Sequence, residues 1–159
     1  MNRAQWDERI SKIADILYVG EVAVRARREW LDEVGIKRIV SIMTEEQHTI
    51  YNAMHPVGTN FFHFTFNFGD GAVISAESMN DILTCIGPEK TLVHCVSGAN
   101  RSTAVSLCWM ISQGWSLVAA YNQYVSTRGL SAAKVYGSVP RMSRQMVINV
   151  ENWISNNQT

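Results

Sequence analysis

Cys95 and Arg101 are separated by five residues in the segment HCVSGANRS, residues 94–102. An apolar run typical of a β-strand precedes this segment, and apolar residues at helical spacing follow it. A short loop between a strand and a helix turns its backbone N–H groups inward, and the helix start adds partial positive charge, so the segment predicts a cradle for an anion. Cys95 would lie at its base as a thiolate, because the same charges lower a cysteine pKa from ~8.5 into the range of about 3.5–7.5.

The other residues of this segment suit a reaction at phosphorus. Arg101 can bind two phosphoryl oxygens at once, and Gly98 lets the backbone approach a ligand closely. Ser102 places a hydroxyl beside the sulfur, where it can stabilise Cys95 as a leaving group when water attacks a cysteinyl-phosphate. The alternative is a buried core cysteine with a surface arginine at the helix start, since free cysteine usually fills a core. The occurrence of His, Cys, Gly, Arg and Ser together favours the nucleophile.

With these residues in place, the sequence resembles the cysteine-dependent protein phosphatases, and specifically their small dual-specificity branch. The motif is His94-Cys95, five residues and Arg101-Ser102, and the likeness extends from residues 16–20 through 35–42 to the helices after Ser102. The resemblance implies a two-step phosphomonoester hydrolysis in which Cys95 attacks phosphorus and an aspartate on a separate loop acts as general acid and then base. It implies no metal or other cofactor. It also implies that the phosphoryl group is bound by Arg101 with the loop residues Val96, Ser97, Gly98, Ala99 and Asn100.

Asp70 is the predicted general acid, because a leaving alkoxide or phenoxide needs a proton. It lies between two glycines directly after an apolar strand, where the family carries its acid on a mobile loop, and the glycines favour such movement. The alternative is a plain tight turn, for which Gly-Asp-Gly is a typical sequence. The segment from Asp70 to Cys95 is several residues shorter than in such phosphatases. We therefore expect a truncated helix in between, with Glu77 and Asp81 as fallback acids.

The histidines and the other cysteines offer rival chemistry. His94 precedes the nucleophile on a buried strand, where it is expected to support the loop through hydrogen bonds and not to act as a base. The remaining three histidines have no partners at zinc-ligand spacing, so no metal site is predicted. Cys85 and Cys108 lie in apolar helical patterns and are predicted to pack in the core. The alternative is that either one protects an oxidised Cys95 as a reversible disulfide.

Composition limits the class of protein. The chain has 159 residues, 47% of them hydrophobic, as expected for one globular catalytic domain spanning residues 1–159. Basic and acidic residues number 14 each, so no net charge attracts nucleic acid or an anionic membrane. The first eight residues resemble neither a signal peptide nor a membrane anchor. Three cysteines without close pairing favour a reducing compartment, so we expect a cytoplasmic protein, with the nucleus as the alternative.

Strand and helix patterns alternate along the chain. Thr44 and Gln47 match a capping box that opens a short helix, and Arg25 with its two neighbouring arginines is expected on a solvated helix face. Together the patterns predict an α/β fold: a central, mostly parallel sheet of four to five strands flanked by helices on both faces, with the phosphate loop between the central strand and a buried helix. Strands are predicted at residues 16–19, 36–43, 61–68 and 91–94, and further helices at 23–34, 75–86, 101–114, 117–127 and 140–155.

The substrate class follows from what the sequence lacks. A chain of this length has little room for the recognition loop that deepens the cleft of tyrosine-specific relatives, so phosphoserine and phosphothreonine are expected as well as phosphotyrosine. The loop residues carry no charge, whereas lipid phosphatases of the superfamily tend to have lysines there. Phosphoinositide and RNA 5′-phosphatase activities are therefore alternatives to a phosphorylated protein. A further alternative is a phosphate-binding interaction module with weak or no turnover.

Overall fold

Five strands form one sheet in the computed structural model, which describes residues 10–97, 99–128 and 142–157. In chain order they are β1 (Ile10–Ala14), β2 (Leu17–Gly20), β3 (Arg38–Met43), β4 (Phe62–Asn67) and β5 (Thr91–His94). Across the sheet the order is β1-β2-β5-β3-β4, and every neighbouring pair is parallel except β1 with β2. The predicted mostly parallel sheet is confirmed, with β5 at its centre.

Helices cover the sheet between these strands. The helix starts at Thr44 and Ser75 each carry a side-chain cap, and the first of these is the predicted capping box. Thr44 Oγ1 accepts from Gln47 N at 3.1 Å, and Ser75 Oγ accepts from Ser78 N at 3.0 Å. The expected helix start at Pro140 lies outside the described residues. In the described ranges the helices are a short 3₁₀ helix (Val22–Ala26), α1 (Arg28–Val34), α2 (Glu45–Met54), α3 (Ala76–Leu83), α4 (Arg101–Ser112), α5 (Leu117–Arg128) and α6 (Arg144–Asn157).

Two apolar cores lie on opposite faces of the sheet, because successive residues of a strand point to opposite sides. On β5, Val93 joins a core built with α3, α4, α5 and α6, whereas Leu92 joins a second core with α1. On β3, Val40 and Ile39 divide in the same way. Helices therefore cover both faces, as predicted, and α4 is buried along nearly its whole length.

Two elements differ from the sequence prediction. Strand β1 was not predicted, because it pairs with β2 through a two-residue turn at Asp15, which adopts a positive φ of 48°, and this turn lacks the glycine that usually marks a hairpin. The helix expected at 23–34 is broken into the 3₁₀ helix and α1 at Arg27, whose ψ of 62° is not helical. The break accompanies the inward orientation of Arg25, so its placement on a solvated face is wrong.

The carboxyl ends of β3, β4 and β5 meet at one edge of the sheet because these strands are parallel. In open α/β sheets, ligands bind outside this edge. Strand β5 leads into the Cys95 loop (residues 95–100), β4 into the Asp70 loop (residues 68–75), and β3 into the Thr44 cap of α2. The fold thus brings together three segments that are far apart in sequence.

Candidate active site

Cys95 lies at the base of the loop that joins β5 to α4, and it is fully buried. Ser102 Oγ donates a hydrogen bond to Cys95 Sγ at 3.0 Å, from the first turn of α4. Among the neighbouring loop residues, Ala99 is buried and Ser97 is exposed, while Val96 accepts at its carbonyl from Val22 N at 3.1 Å. Gly98 lies outside the described residues.

The chain contains a second buried cysteine that serves as a comparison for Cys95. Burial raises the pKa of the Cys108 thiol well above its usual range. Burial also acts to raise the pKa of Cys95, but the Ser102 hydroxyl, the Arg101 charge and the backbone N–H groups of Ser102 and Asn100 outweigh it. The pKa of Cys95 is therefore lowered. Unlike the Cys108 sulfur, the Cys95 sulfur is surrounded by groups that favour negative charge.

Arg101 is buried beside the sulfur, with 1% of its side chain exposed. Its Nη1 donates to Phe68 O at 2.8 Å and to Gln47 Oε1 at 2.9 Å. Its Nε lies 2.9 Å from Asp70 Oδ1 in an ion pair without hydrogen-bond geometry, so this buried N–H has no hydrogen-bond acceptor among the described residues. A buried donor without an acceptor is unfavourable, and an oxyanion bound in the loop would satisfy it.

Gln47 belongs to the candidate active site, although the sequence predicted only its role in the helix cap. Its Oε1 accepts from Thr44 N at 3.0 Å, which completes the predicted capping box, and also from Arg101 Nη1. The capping box could be predicted from the sequence because it lies within four consecutive residues. The contact with Arg101 spans 54 positions and depends on β3 and β5 being neighbours, so no local pattern could signal it.

Asp70 reaches the same site despite the short connection to Cys95. The helix in between, α3, has only eight residues, as expected for a truncated element. The Asp70 side chain is 66% exposed, with its carboxylate beside Arg101. The fallback acids Glu77 and Asp81 both lie exposed on α3. The structure thus brings Cys95, Arg101, Ser102 and Asp70 together.

Asn100 was expected to bind phosphate, and its side chain is engaged elsewhere. Its Nδ2 donates to Asp70 O at 3.0 Å, and its Oδ1 accepts from Ser143 N at 2.7 Å. Its backbone N–H is directed at Cys95, where it favours the thiolate. The backbone N–H of Asn100, and not its side chain, is therefore positioned to contact an anion in the loop.

His94 connects the Cys95 loop to a buried polar cluster. His94 Nδ1 donates to Cys95 O at 2.7 Å, because a carbonyl can only accept, and its Nε2 is left to accept from Ser41 Oγ at 2.6 Å. Ser41 Oγ in turn lies 2.7 Å from His63 Nε2 and accepts from Arg25 Nη1 at 3.1 Å. Burial, with the nearby Arg25 charge, lowers the pKa of His94 to about 3, although its bond to Cys95 acts in the opposite direction. A neutral, fully bonded imidazole fits the expected supporting role.

Arg25 is a fully buried cation that donates hydrogen bonds to three neutral acceptors. Besides Ser41, it donates from Nε to His55 O at 2.8 Å and from Nη2 to Asn52 Oδ1 at 3.0 Å. Burial lowers the pKa of Arg25 to about 10. Burial, followed by the charge of Arg25, also lowers the pKa of His63 to about 4. The cluster thus keeps both histidines near the Cys95 loop neutral.

Two further features concern the expected metal and membrane properties. Within the described ranges, no three His, Cys, Asp or Glu side chains are grouped so that they could hold one metal ion. None of the helices described here combines the length and apolar character needed to span a bilayer. All three cysteines are free thiols.

The fold has many counterparts among solved structures, although no protein-family model and no curated protein sequence matches the chain. Human DUSP28 superposes with a TM-score of 0.76 at 15% identity, covering 95% of this chain and 96% of that one. The human tyrosine phosphatase-like serine/threonine/tyrosine-interacting protein gives 0.74 at 16% identity, covering 94% and 98%. Tk-PTP in its active form gives 0.68 at 19% identity, covering 92% and 97%. The chain therefore has the fold of the small dual-specificity phosphatases, and Cys95 lies on the loop that joins β5 to α4 in that fold.

Proposed function

We propose that this protein is a phosphatase that hydrolyses phosphotyrosine and phosphoserine or phosphothreonine in proteins through a cysteinyl-phosphate on Cys95. The observation that carries the proposal is the hydrogen bond of 3.0 Å that Ser102 Oγ donates to Cys95 Sγ, beside the buried Arg101, at one of two buried thiols. Burial raises the pKa of Cys108, whereas the surroundings of Cys95 lower its pKa in spite of equal burial. A buried cysteine whose surroundings favour the thiolate is typical of a nucleophile, which supports this role for Cys95.

In the first step, the Cys95 thiolate attacks phosphorus, and an S–P bond forms as the P–O bond to the leaving group breaks. Arg101 Nε and the backbone N–H groups of the Cys95 loop stabilise the equatorial oxygens as charge develops on them. Asp70 donates its proton to the departing oxygen. The position of its side chain beside Arg101, 66% exposed, supports this role.

In the second step, water attacks the cysteinyl-phosphate and Asp70 accepts its proton. The S–P bond breaks, inorganic phosphate is released, and the electron pair returns to sulfur. Ser102, whose hydroxyl donates to Cys95 Sγ at 3.0 Å, stabilises the thiolate as it leaves. The same hydrogen bond therefore serves both the nucleophile of the first step and the leaving group of the second.

The proposed substrate class rests on the chemistry of the Cys95 loop. Val96, Ser97, Ala99 and Asn100 carry no charge, so the loop offers no lysines for the additional phosphates of an inositol lipid. The chain has no excess of basic residues to attract RNA. We place the protein in the cytoplasm, with the nucleus as alternative, and assign residues 1–159 to one catalytic domain.

A second candidate function is a phosphate-binding interaction module. One protein that shares the fold is named as phosphatase-like and interacting. Such a module would keep Arg101 and the loop for binding but would not release phosphate. The presence of Cys95, Ser102 and a nearby Asp70 favours the enzyme.

Hydrolysis of an aryl phosphate at mildly acidic pH tests the proposal. Wild type should release phosphate, should be inhibited by vanadate and should be unaffected by a chelator. Cys95→Ser should be inactive, and Cys108→Ser, the matched change at the other buried thiol, should retain activity. Phosphopeptide binding without phosphate release by wild type would establish the module instead. Loss of activity on adding chelator would contradict the cysteine mechanism.

A further inference from the structure

We propose that Asn100, Ser143 and Asn149 are positioning residues that hold the Asp70 loop against the Cys95 loop before substrate arrives. This inference rests on the proposed phosphatase function. The sequence suggested that Asp70 lies on a mobile loop that closes over substrate. Hydrogen bonds from these three side chains instead hold the Asp70 loop against the Cys95 loop.

Asn100 provides the first connection. Its Nδ2 donates to Asp70 O at 3.0 Å and lies 3.4 Å from Asp70 Oδ1. Asn100 is 9% exposed and belongs to the Cys95 loop, directly before Arg101. The general acid is thus bonded to the loop that would bind the phosphoryl group, through an amide that carries no charge of its own.

Ser143, directly before α6, provides the second connection. Its Oγ donates to Asp70 O at 3.1 Å, so this carbonyl accepts from both Asn100 and Ser143. Ser143 N donates to Asn100 Oδ1 at 2.7 Å, and Ser143 Oγ also accepts from Met146 N at 3.3 Å. Asp70, Asn100 and Ser143 therefore form a closed hydrogen-bonded triangle that is anchored to the start of a helix.

Asn149, six residues after Ser143 on α6, provides the third connection. Its Nδ2 donates to Ala72 O at 2.9 Å, and its Oδ1 accepts from Gln145 Nε2 at 2.9 Å. Asn149 is fully buried. Movement of the Asp70 loop would leave this buried amide without its backbone acceptor, which opposes opening.

Most of these hydrogen bonds hold the backbone of the Asp70 loop and not the carboxylate that would transfer the proton. The carbonyls of Asp70 and Ala72 are held by side chains, whereas the Asp70 carboxylate stays exposed beside Arg101. The loop backbone is thus held by neutral side chains, while the carboxylate that would carry the proton lies 66% exposed in its ion pair with Arg101. Because Gly69 and Gly71 flank Asp70, the backbone would be free to move without these bonds.

The kinetic test uses aryl phosphates graded by the acidity of the departing phenol. Asn100→Ala and Ser143→Ala should lower kcat/KM by about tenfold for poor leaving groups and by less than about twofold for good ones, because proton donation matters only for the former. Asp70→Asn combined with Asn100→Ala should be no worse than Asp70→Asn alone. Equal losses across the series, or additive losses in the double variant, would overturn the proposal.

Amide hydrogen exchange supplies a test that does not require turnover. The amide of Ala72, which donates to Gly69 O at 3.1 Å, should be protected in wild type and should exchange at least about tenfold faster in Asn149→Ala. Asn152→Ala, an exposed change on the same helix, is the matched control and should not alter exchange. An unprotected Ala72 amide in an active wild type refutes the positioning role alone. A protected amide in a protein without activity refutes the phosphatase function alone.

Discussion

Ser102→Ala tests how the Cys95 thiolate is stabilised. The Ser102 hydroxyl donates to Cys95 Sγ at 3.0 Å, and it is the strongest of the contacts that oppose the effect of burial on the pKa. A hydrogen bond to a charged group contributes roughly 1.5–3 kcal/mol, and one pKa unit corresponds to about 1.4 kcal/mol. We therefore expect the substitution to raise the Cys95 pKa by about 1–2 units.

The rate of alkylation by iodoacetamide as a function of pH measures this pKa. Peptide mass spectrometry separates Cys95 from Cys85 and Cys108, so each thiol is followed individually. Ser106→Ala is the matched control, because Ser106 is a buried serine one turn along α4 whose hydroxyl donates to the Ser102 carbonyl at 2.7 Å. This control should leave the pKa of Cys95 where it is in wild type.

Either of two outcomes would refute this reasoning. An unchanged Cys95 pKa in a folded Ser102→Ala protein would mean that the hydroxyl does not offset burial. An equal rise in Ser102→Ala and Ser106→Ala would point to a general loosening of α4 and not to one hydrogen bond. We also expect Ser102→Ala to slow the breakdown of the cysteinyl-phosphate more than its formation. The release of phenol would then begin with a burst.

Three further predictions concern other parts of the site. Asp70→Asn should lower turnover of phosphotyrosine by about 10²–10⁴-fold while affecting an aryl phosphate with a good leaving group less, and equal losses in kcat would remove Asp70 as the acid. Arg101→Lys should lower kcat/KM by about 10²–10³-fold, because lysine cannot bind two oxygens at once, and an unchanged affinity for vanadate would contradict the role of Arg101. The folded-state pKa of His94 lies below its unfolded value, so its contribution to stability is complete above about pH 6.5. That contribution should fall by up to about 1.4 kcal/mol per pH unit as the pH drops toward the folded pKa, and a urea midpoint independent of pH would contradict this.

The sequence predicts well what consecutive residues determine. The strand before Cys95 and the helix after it follow from an apolar run and helical spacing, and the cap formed by Thr44 and Gln47 follows from a motif four residues long. The central position of β5 follows from its apolar character and from its connection to the loop. These features need no knowledge of how distant segments pack.

The contacts that the sequence did not predict connect distant segments. Gln47 meets Arg101, and Asn100 meets Ser143, only because the carboxyl ends of three strands and the start of α6 lie at one edge of the sheet. Arginine side chains usually lie at the surface, but Arg25 is buried because three neutral acceptors surround it. Tertiary hydrogen bonds of this kind leave no periodic pattern in the sequence.

The central claim is that Cys95 carries the phosphoryl group during turnover. Acid quenching of the enzyme during hydrolysis of an aryl phosphate, followed by peptide mass spectrometry, tests this directly. We expect a phosphoryl group on the peptide that contains Cys95, more of it in Ser102→Ala, and none in Cys95→Ser. Turnover with the phosphoryl group on another residue, or sustained turnover by Cys95→Ser, would contradict it.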